Sequence, residues 1–165
     1  MCIRDSLRAV GFKVDNEYYV NDAGRQMDIL TVSIFFRYLT LSGEKLRFPD
    51  NGYQGKYIKD IAESVYEKYG DRWRKSSSEV YKDVCKDGQQ GGDKESHIDE
   101  LIVRSRQMLG EGYDTIFRIG IDNILDGIKT DLAAFGVNFE KWFLEHSLID
   151  NGSVSYTHLT LPTKA

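Results

Sequence analysis

Apolar positions along the chain recur with two periods. Met27, Leu30, Ile34, Tyr38 and Leu41 fall three or four apart, which places them on one face of a helix. Ile58, Ile61, Ala62, Val65, Tyr66 and Tyr69 predict a second amphipathic helix, and Ile98, Leu101, Ile102, Met108 and Leu109 a third. Tyr113, Phe117, Ile121, Ile124, Leu125, Ile128, Leu132 and Phe135 predict a long fourth. Gly43, Gly70 and Gly136 stand where the first, second and fourth should stop, the role of a residue that leaves a helix in the left-handed conformation. Leu7 to Gly11 reads as the end of one more helix. Tyr18–Val20 is a run of β-formers cut off by the turn residues Asn21, Asp22 and Gly24, so it predicts a short strand. The aromatic stretch from Phe139 to Leu148 predicts a second strand. Phe48 to Gly52 is a loop by composition. Gly70 to Gly92 is polar, with one short helix near Glu79–Val84 between exposed loops.

The expected fold class is therefore α/β and helix-rich, with two strands far apart in sequence. A compact α/β domain needs several paired strands. Two isolated ones are expected to be part of a sheet whose other strands lie elsewhere, which makes the chain an incomplete piece.

Composition narrows this only slightly. With 165 residues, 41% hydrophobic and 29% charged, the chain is long enough for one ordinary core. A net charge of −4 argues against a broad basic footprint for DNA or RNA and leaves room only for a local patch. The most apolar stretch, Ile29 to Leu41, carries Arg37 in its middle, so no membrane partner is expected. Residues 1–10 lack the apolar run of a secretory leader. Cys2 and Cys85 form no CxxC and suggest neither a disulfide framework nor a zinc site, so a reducing cytoplasm is the expected location. The two ends, 1–6 (MCIRDS) and 154–165 (VSYTHLTLPTKA), read differently from the rest. Both resemble peptides made when sequencing-adapter DNA is translated, which would leave about 7–153 as native sequence.

The most informative stretch is Glu17 to Leu30 (EYYVNDAGRQMDIL). A strand delivers Asn21 and Asp22 to its carboxyl end, Gly24 lets the chain turn, and a helix follows. In open α/β sheets, ligands bind at the carboxyl ends of strands. An Asp there can accept from an ammonium or guanidinium group, and Asn21 and Gln26 can each donate and accept. A helix-capping turn without a ligand satisfies the same residues. Other clusters read as structural. Asp93, His97 and Glu100 share a spacing that metal sites use, but they read as a solvated, capped helix start with Asp93 or Ser96 as cap and His97 exposed. Gly52-Tyr53-Gln54-Gly55 lacks the Lys-Ser/Thr of a phosphate loop. Arg72, Arg74 and Lys75 surround Trp73 in a small basic-aromatic cluster that can either touch an RNA backbone or end a solvated helix. His146 beside Glu145 reads as a surface or packing residue.

Several separated pieces, in order, resemble the arginyl-tRNA synthetases: LRAVGFKV, EYYVNDAGRQMDIL, FPDNGYQGKYIKDIA, GGDKESHIDELI and ILDGIKTDLAAFGVNFEKWFLEHSL. Together they cover nearly all of 7–153. The resemblance implies a Rossmann-like class I synthetase catalytic domain, of which this chain is an internal part carrying a helical insertion. It implies a parent that uses arginine, ATP (with magnesium) and tRNA. Arginine would be activated as its adenylate and then passed to the tRNA. It also implies that Asn21, Asp22 and Gln26 border the amino-acid pocket, with Asp22 facing either the α-ammonium or the guanidinium group of arginine. The chain departs from the family pattern in two ways: it contains no His-x-Gly-His and no KMSKS-type loop. Lys75-Ser76-Ser77-Ser78 imitates the latter from the wrong place. The isolated chain is therefore expected to have no catalytic residues and no activity. A free-standing helical interaction module without catalysis is the alternative.

Overall fold

The computed structural model describes residues 3–150. The expected foreign end at 154–165 lies outside them. The chain divides into two compact units, Met1–Ala23 with Ala133–Ala165, and Gly24–Leu132.

The first unit is built on a parallel strand pair. Helix α1 spans Ile3–Ala9, strand β1 Glu17–Val20, strand β2 Lys141–Leu144 and helix α7 His146–Asp150. β1 and β2 pair from Glu17 opposite Lys141 to Val20 opposite Leu144. The expected strand over Phe139 to Leu148 is thus shorter: four residues extend, and the chain then turns into α7. Aromatic pairs hold the two strands together. Tyr18 stacks on Trp142 at 4.6 Å and meets Phe139 edge-on at 5.2 Å, and Tyr19 stacks on Phe143 at 5.9 Å. Such pairs add about 0.5–1.5 kcal/mol each beyond burial. Arg8 ties α1 to this sheet by donating to Glu140 at 2.6 Å and to the Val14 carbonyl at 3.0 Å. Glu140 also accepts from the Asn16 amide at 2.9 Å.

The second unit is helical. Helix α2 spans Arg25–Leu41, α3 Lys56–Tyr69, α4 Ser77–Val80, α5 Lys94–Leu109 and α6 Glu111–Ala134, with a 3-10 turn at Gly88–Gln90. The periodic reading of α2 needs correction. Met27 is half-buried and Leu41 is exposed, whereas Ile29 through Phe36, Tyr38 and Leu39 are buried on all sides. α2 is the central helix, packed by α3 and α5, so a single stripe does not describe it. Its buried hydroxyls turn back on the helix: Thr31 donates to the Met27 carbonyl at 2.9 Å, and Ser33 to that of Ile29 at 2.6 Å. Both donors are thereby satisfied within the helix, and the Ser33 oxygen also accepts from the Tyr53 amide at 2.8 Å. Where α6 starts, only glycine fits at 112, because a Cβ there would sit 2.5 Å from Trp73 Nε1.

The start of α5 depends on carboxylates. Asp93 caps α5, accepting from the Ser96 amide at 2.9 Å and the Ser96 hydroxyl at 2.7 Å, which holds its pKa below the ordinary 3.8. Glu95 accepts from Arg25 and Asn51, both at 2.7 Å, and is likewise lowered from 4.5. A carboxylate with a lowered folded pKa contributes stability that is full above its unfolded value and is lost as pH falls through the folded one. Urea unfolding at a series of pH values should therefore show stability dropping below about pH 4. Asp93→Asn keeps the cap at pH 7 but removes that titration. The wild-type curve should fall toward the variant's as pH drops, and parallel curves would refute the account.

Candidate functional site

Parallel pairing with no stagger brings both strands to an end side by side, and the residues that follow them meet there. Asn21 and Asp22 leave β1, while Glu145 and His146 leave β2. The Glu145 amide continues the ladder by donating to the Val20 carbonyl at 3.0 Å. Asp22 is 4% exposed. Its Oδ1 accepts at 2.8 Å from the His146 amide, the first of α7, so it satisfies a helix-start donor from across the sheet. Asn21 is exposed; in the amide orientation that suits its neighbours, its nitrogen donates to Ala23 O at 3.0 Å and to Glu145 Oε2 at 2.9 Å. Partial desolvation, and then the Glu145 carboxylate, push the Tyr19 phenol pKa up. The edge thus gathers two carboxylates, an amide and a phenol, a set able to take a cationic group.

Gln26 lies in the second unit, exposed on the first turn of α2, where its Oε1 accepts from the Tyr53 hydroxyl. Glu145 was not singled out from sequence. It sat inside a stretch read wholly as strand, and only the short register of β2 places it at the strand end.

The structural clusters resolve as follows. Asp93 is the α5 cap, but His97 is buried at 4% exposure rather than exposed. Its Nδ1 lies 2.6 Å from the Cys85 carbonyl, and its Nε2 lies 3.7 Å from Asp87 Oδ2. Glu100 does not join it, accepting instead from the Cys85 amide at 2.5 Å. Among the described residues no group of three or more His, Cys, Asp or Glu is placed to hold a metal ion. Trp73 is buried, and its amide donates to the Tyr38 hydroxyl, so it is core and not a stacking platform. Ser76 caps α4 in a reciprocal box with Glu79, a structural role for the serine run. Gly55 stands at the α3 start, where it leads the loop into the helix. His146 is an exposed residue. No described helix is long and apolar enough to cross a membrane.

No family model matches the chain. Curated relatives do. An arginine–tRNA ligase of Thioalkalivibrio sulfidiphilus is 47% identical over 93% of this chain and 26% of its own length. Those of Acinetobacter baumannii and Hydrogenovibrio crunogenus are 50% and 52% identical over 90% of this chain, covering 27% and 26% of theirs. A solved structure described as a putative arginyl-tRNA synthetase from Campylobacter jejuni superposes with a TM-score of 0.50 at 24% identity, over 87% of this chain and 25% of that one; it shows a shared fold. The structure defines a helix-rich segment with a small parallel sheet and a polar edge at its carboxyl end. By sequence, the chain is similar to a segment of arginine–tRNA ligases and spans about a quarter of the length of these relatives.

Proposed function

We propose that this chain is part of the catalytic domain of an enzyme that attaches arginine to its tRNA at the expense of ATP. The β1–β2 pair would be two strands of a Rossmann-like class I sheet. A parallel pair needs a long crossover and is too small to stand alone, which supports a larger sheet in the parent. Residues 7–153 would be the native part, with 1–6 and 154–165 foreign to it.

The observation that carries the reading is the acidic edge made by Asp22 and Glu145 beside Asn21. Arginine carries two cationic groups and one carboxylate. Buried Asp22 would take one of the cations, and Asn21 would be held in place by Glu145. The chemistry itself, attack of the arginine carboxylate on the α-phosphate of ATP, depends mainly on positioning and charge stabilisation. The described residues do not offer a metal cage, so no step is assigned here to magnesium. This chain's residues bind and orient the amino acid, and without the ATP-handling motifs it should be inactive alone. A cytoplasmic location is part of the same reading.

The test is a transplant. Residues 7–153 replace the matching segment of the Hydrogenovibrio crunogenus relative, and arginine attachment to tRNA is measured. Activity within about tenfold of the parent is expected, since a tenfold loss is only about 1.4 kcal/mol of transition-state stabilisation. A folded but inactive chimera would overturn the reading.

A further inference from the structure

The second unit has a cavity of about 270 Å³ between the segment after α2, the segment after α4 and the start of α5. Arg47, Lys86, Gln90, Tyr81 and His97 are among its walls. Its cations are not neutralised. Among the described residues, Arg47 is exposed and donates to Gln89 Oε1, a neutral acceptor, at 2.7 Å, and exposed Lys86 takes part in no salt bridge. The one acid in the wall, Asp87, is 1% exposed and already engaged: Oδ1 accepts from the Gly88 amide at 2.7 Å, Oδ2 accepts from the Asp50 amide at 2.9 Å, and Oδ2 faces His97.

A third cation contacts the aromatic residues that adjoin this wall. Arg37 is half-buried on α2 with its guanidinium 4.2 Å above the Phe48 ring, next in sequence to Arg47. Its Nε is buried and has no hydrogen-bond partner. Phe36 touches both Phe48 and Tyr81 at 6.3 and 6.1 Å between ring centres, so Arg37 and the cavity share one aromatic support. Unsatisfied buried donors are rare and call for an explanation such as an ion. The loop that carries Lys86 is also rigidly closed: a Cβ on Gly92 would lie 1.8 Å from the Lys86 carbonyl oxygen.

The geometry points to a phosphate-group site, with Arg47 and Lys86 as its direct ligands and Arg37, on the adjoining Phe36–Phe48 aromatic pair, adding positive charge. On a chain of net charge −4, three cations without acidic partners among the described residues, two in the cavity wall and one on the adjoining aromatic pair, form the local patch that a phosphodiester or a free phosphate would fill. An RNA backbone is the source that fits the ligase reading. The phosphate site itself does not depend on that reading.

The test uses the 165-residue chain. Amide chemical shifts are followed by NMR during titration with inorganic phosphate and, separately, with a short RNA hairpin. Shifts are expected at residues 47, 86 and 90, with binding weakened at least tenfold by Arg47→Gln and by Lys86→Gln. The RNA salt slope should fall by about 1 for each contact removed. Lys59→Gln, an exposed charge on α3, should bind like wild type. Phosphate binding without RNA binding keeps the site and rejects an RNA backbone as its source. No binding in either arm, shifts elsewhere, or unchanged binding by both variants with native-like spectra overturns the site. None of these outcomes depends on the transplant, so failure of the site and failure of the ligase reading remain distinct.

Discussion

Asp22→Asn in the transplanted enzyme is expected to lower kcat/KM for arginine at least 100-fold while leaving the isolated chain nearly as stable as wild type. The two effects separate because Asp22 has two jobs of different chemistry. Its structural job is to accept the His146 amide at 2.8 Å, and an asparagine oxygen can do that as well. Its proposed binding job needs a negative charge opposite a cation of arginine, which asparagine lacks. Removing one partner of a desolvated ion pair costs about 3–5 kcal/mol, and 100-fold needs only about 2.7 kcal/mol. Asp22→Ala removes both jobs. It should lose the activity and also destabilise the chain by about 1–3 kcal/mol, because the part-buried His146 amide then loses its Asp22 acceptor. Measuring arginine attachment for both variants in the transplant, and urea unfolding for both in the isolated chain, separates the cases. Full activity in Asp22→Asn would reduce Asp22 to a helix-start partner.

That comparison is needed because the sequence left two readings of Asn21 and Asp22 open, a capping turn or a ligand edge. The structure shows that the capping is real but long-range: the helix start that Asp22 serves is α7, more than a hundred residues on, and not the α2 that follows it. Local pattern cannot reveal a partner set by the pairing of β1 with β2. The same limit hid Glu145 and cut β2 short, since an aromatic run such as Phe139 to Leu148 carries no signal for where pairing ends. The long helices were legible because their apolar period and closing glycines are local: α6 ends at Ala134 and Gly136 has a φ of 72°. α2 was legible as a helix but not as the centre of the unit, because burial on every side comes from neighbours that its own sequence does not name. His97 failed similarly. Its spacing suits a solvated first turn, but the loop carrying Cys85 and Asp87 folds over it.

Tyr38→Phe should be among the most damaging single-atom changes in the second unit, at about 2–3 kcal/mol. The residue is fully buried, and its hydroxyl donates to the Gly70 carbonyl at 2.5 Å and accepts from the Trp73 amide at 3.0 Å. It therefore closes the turn that follows α3 onto α2. Phenylalanine keeps the ring contacts with Phe35, Tyr66 and Trp73 but strands a buried amide, and an unmade buried partner costs about 1–3 kcal/mol. Burial pushes the phenol pKa up, so the donor stays protonated and the loss should not depend on pH below neutrality. Tyr38→Ala adds a cavity worth about 3–5 kcal/mol, which together with the lost bonds approaches the whole stability of a small domain; it should yield no cooperative unfolding transition. Tyr57→Phe, at a side chain 46% exposed, should change stability by less than about 0.5 kcal/mol. Equal effects of the two Tyr→Phe substitutions in urea unfolding would mean that the Gly70–Trp73 turn is not held by the Tyr38 hydroxyl, and that ring packing alone joins it to α2.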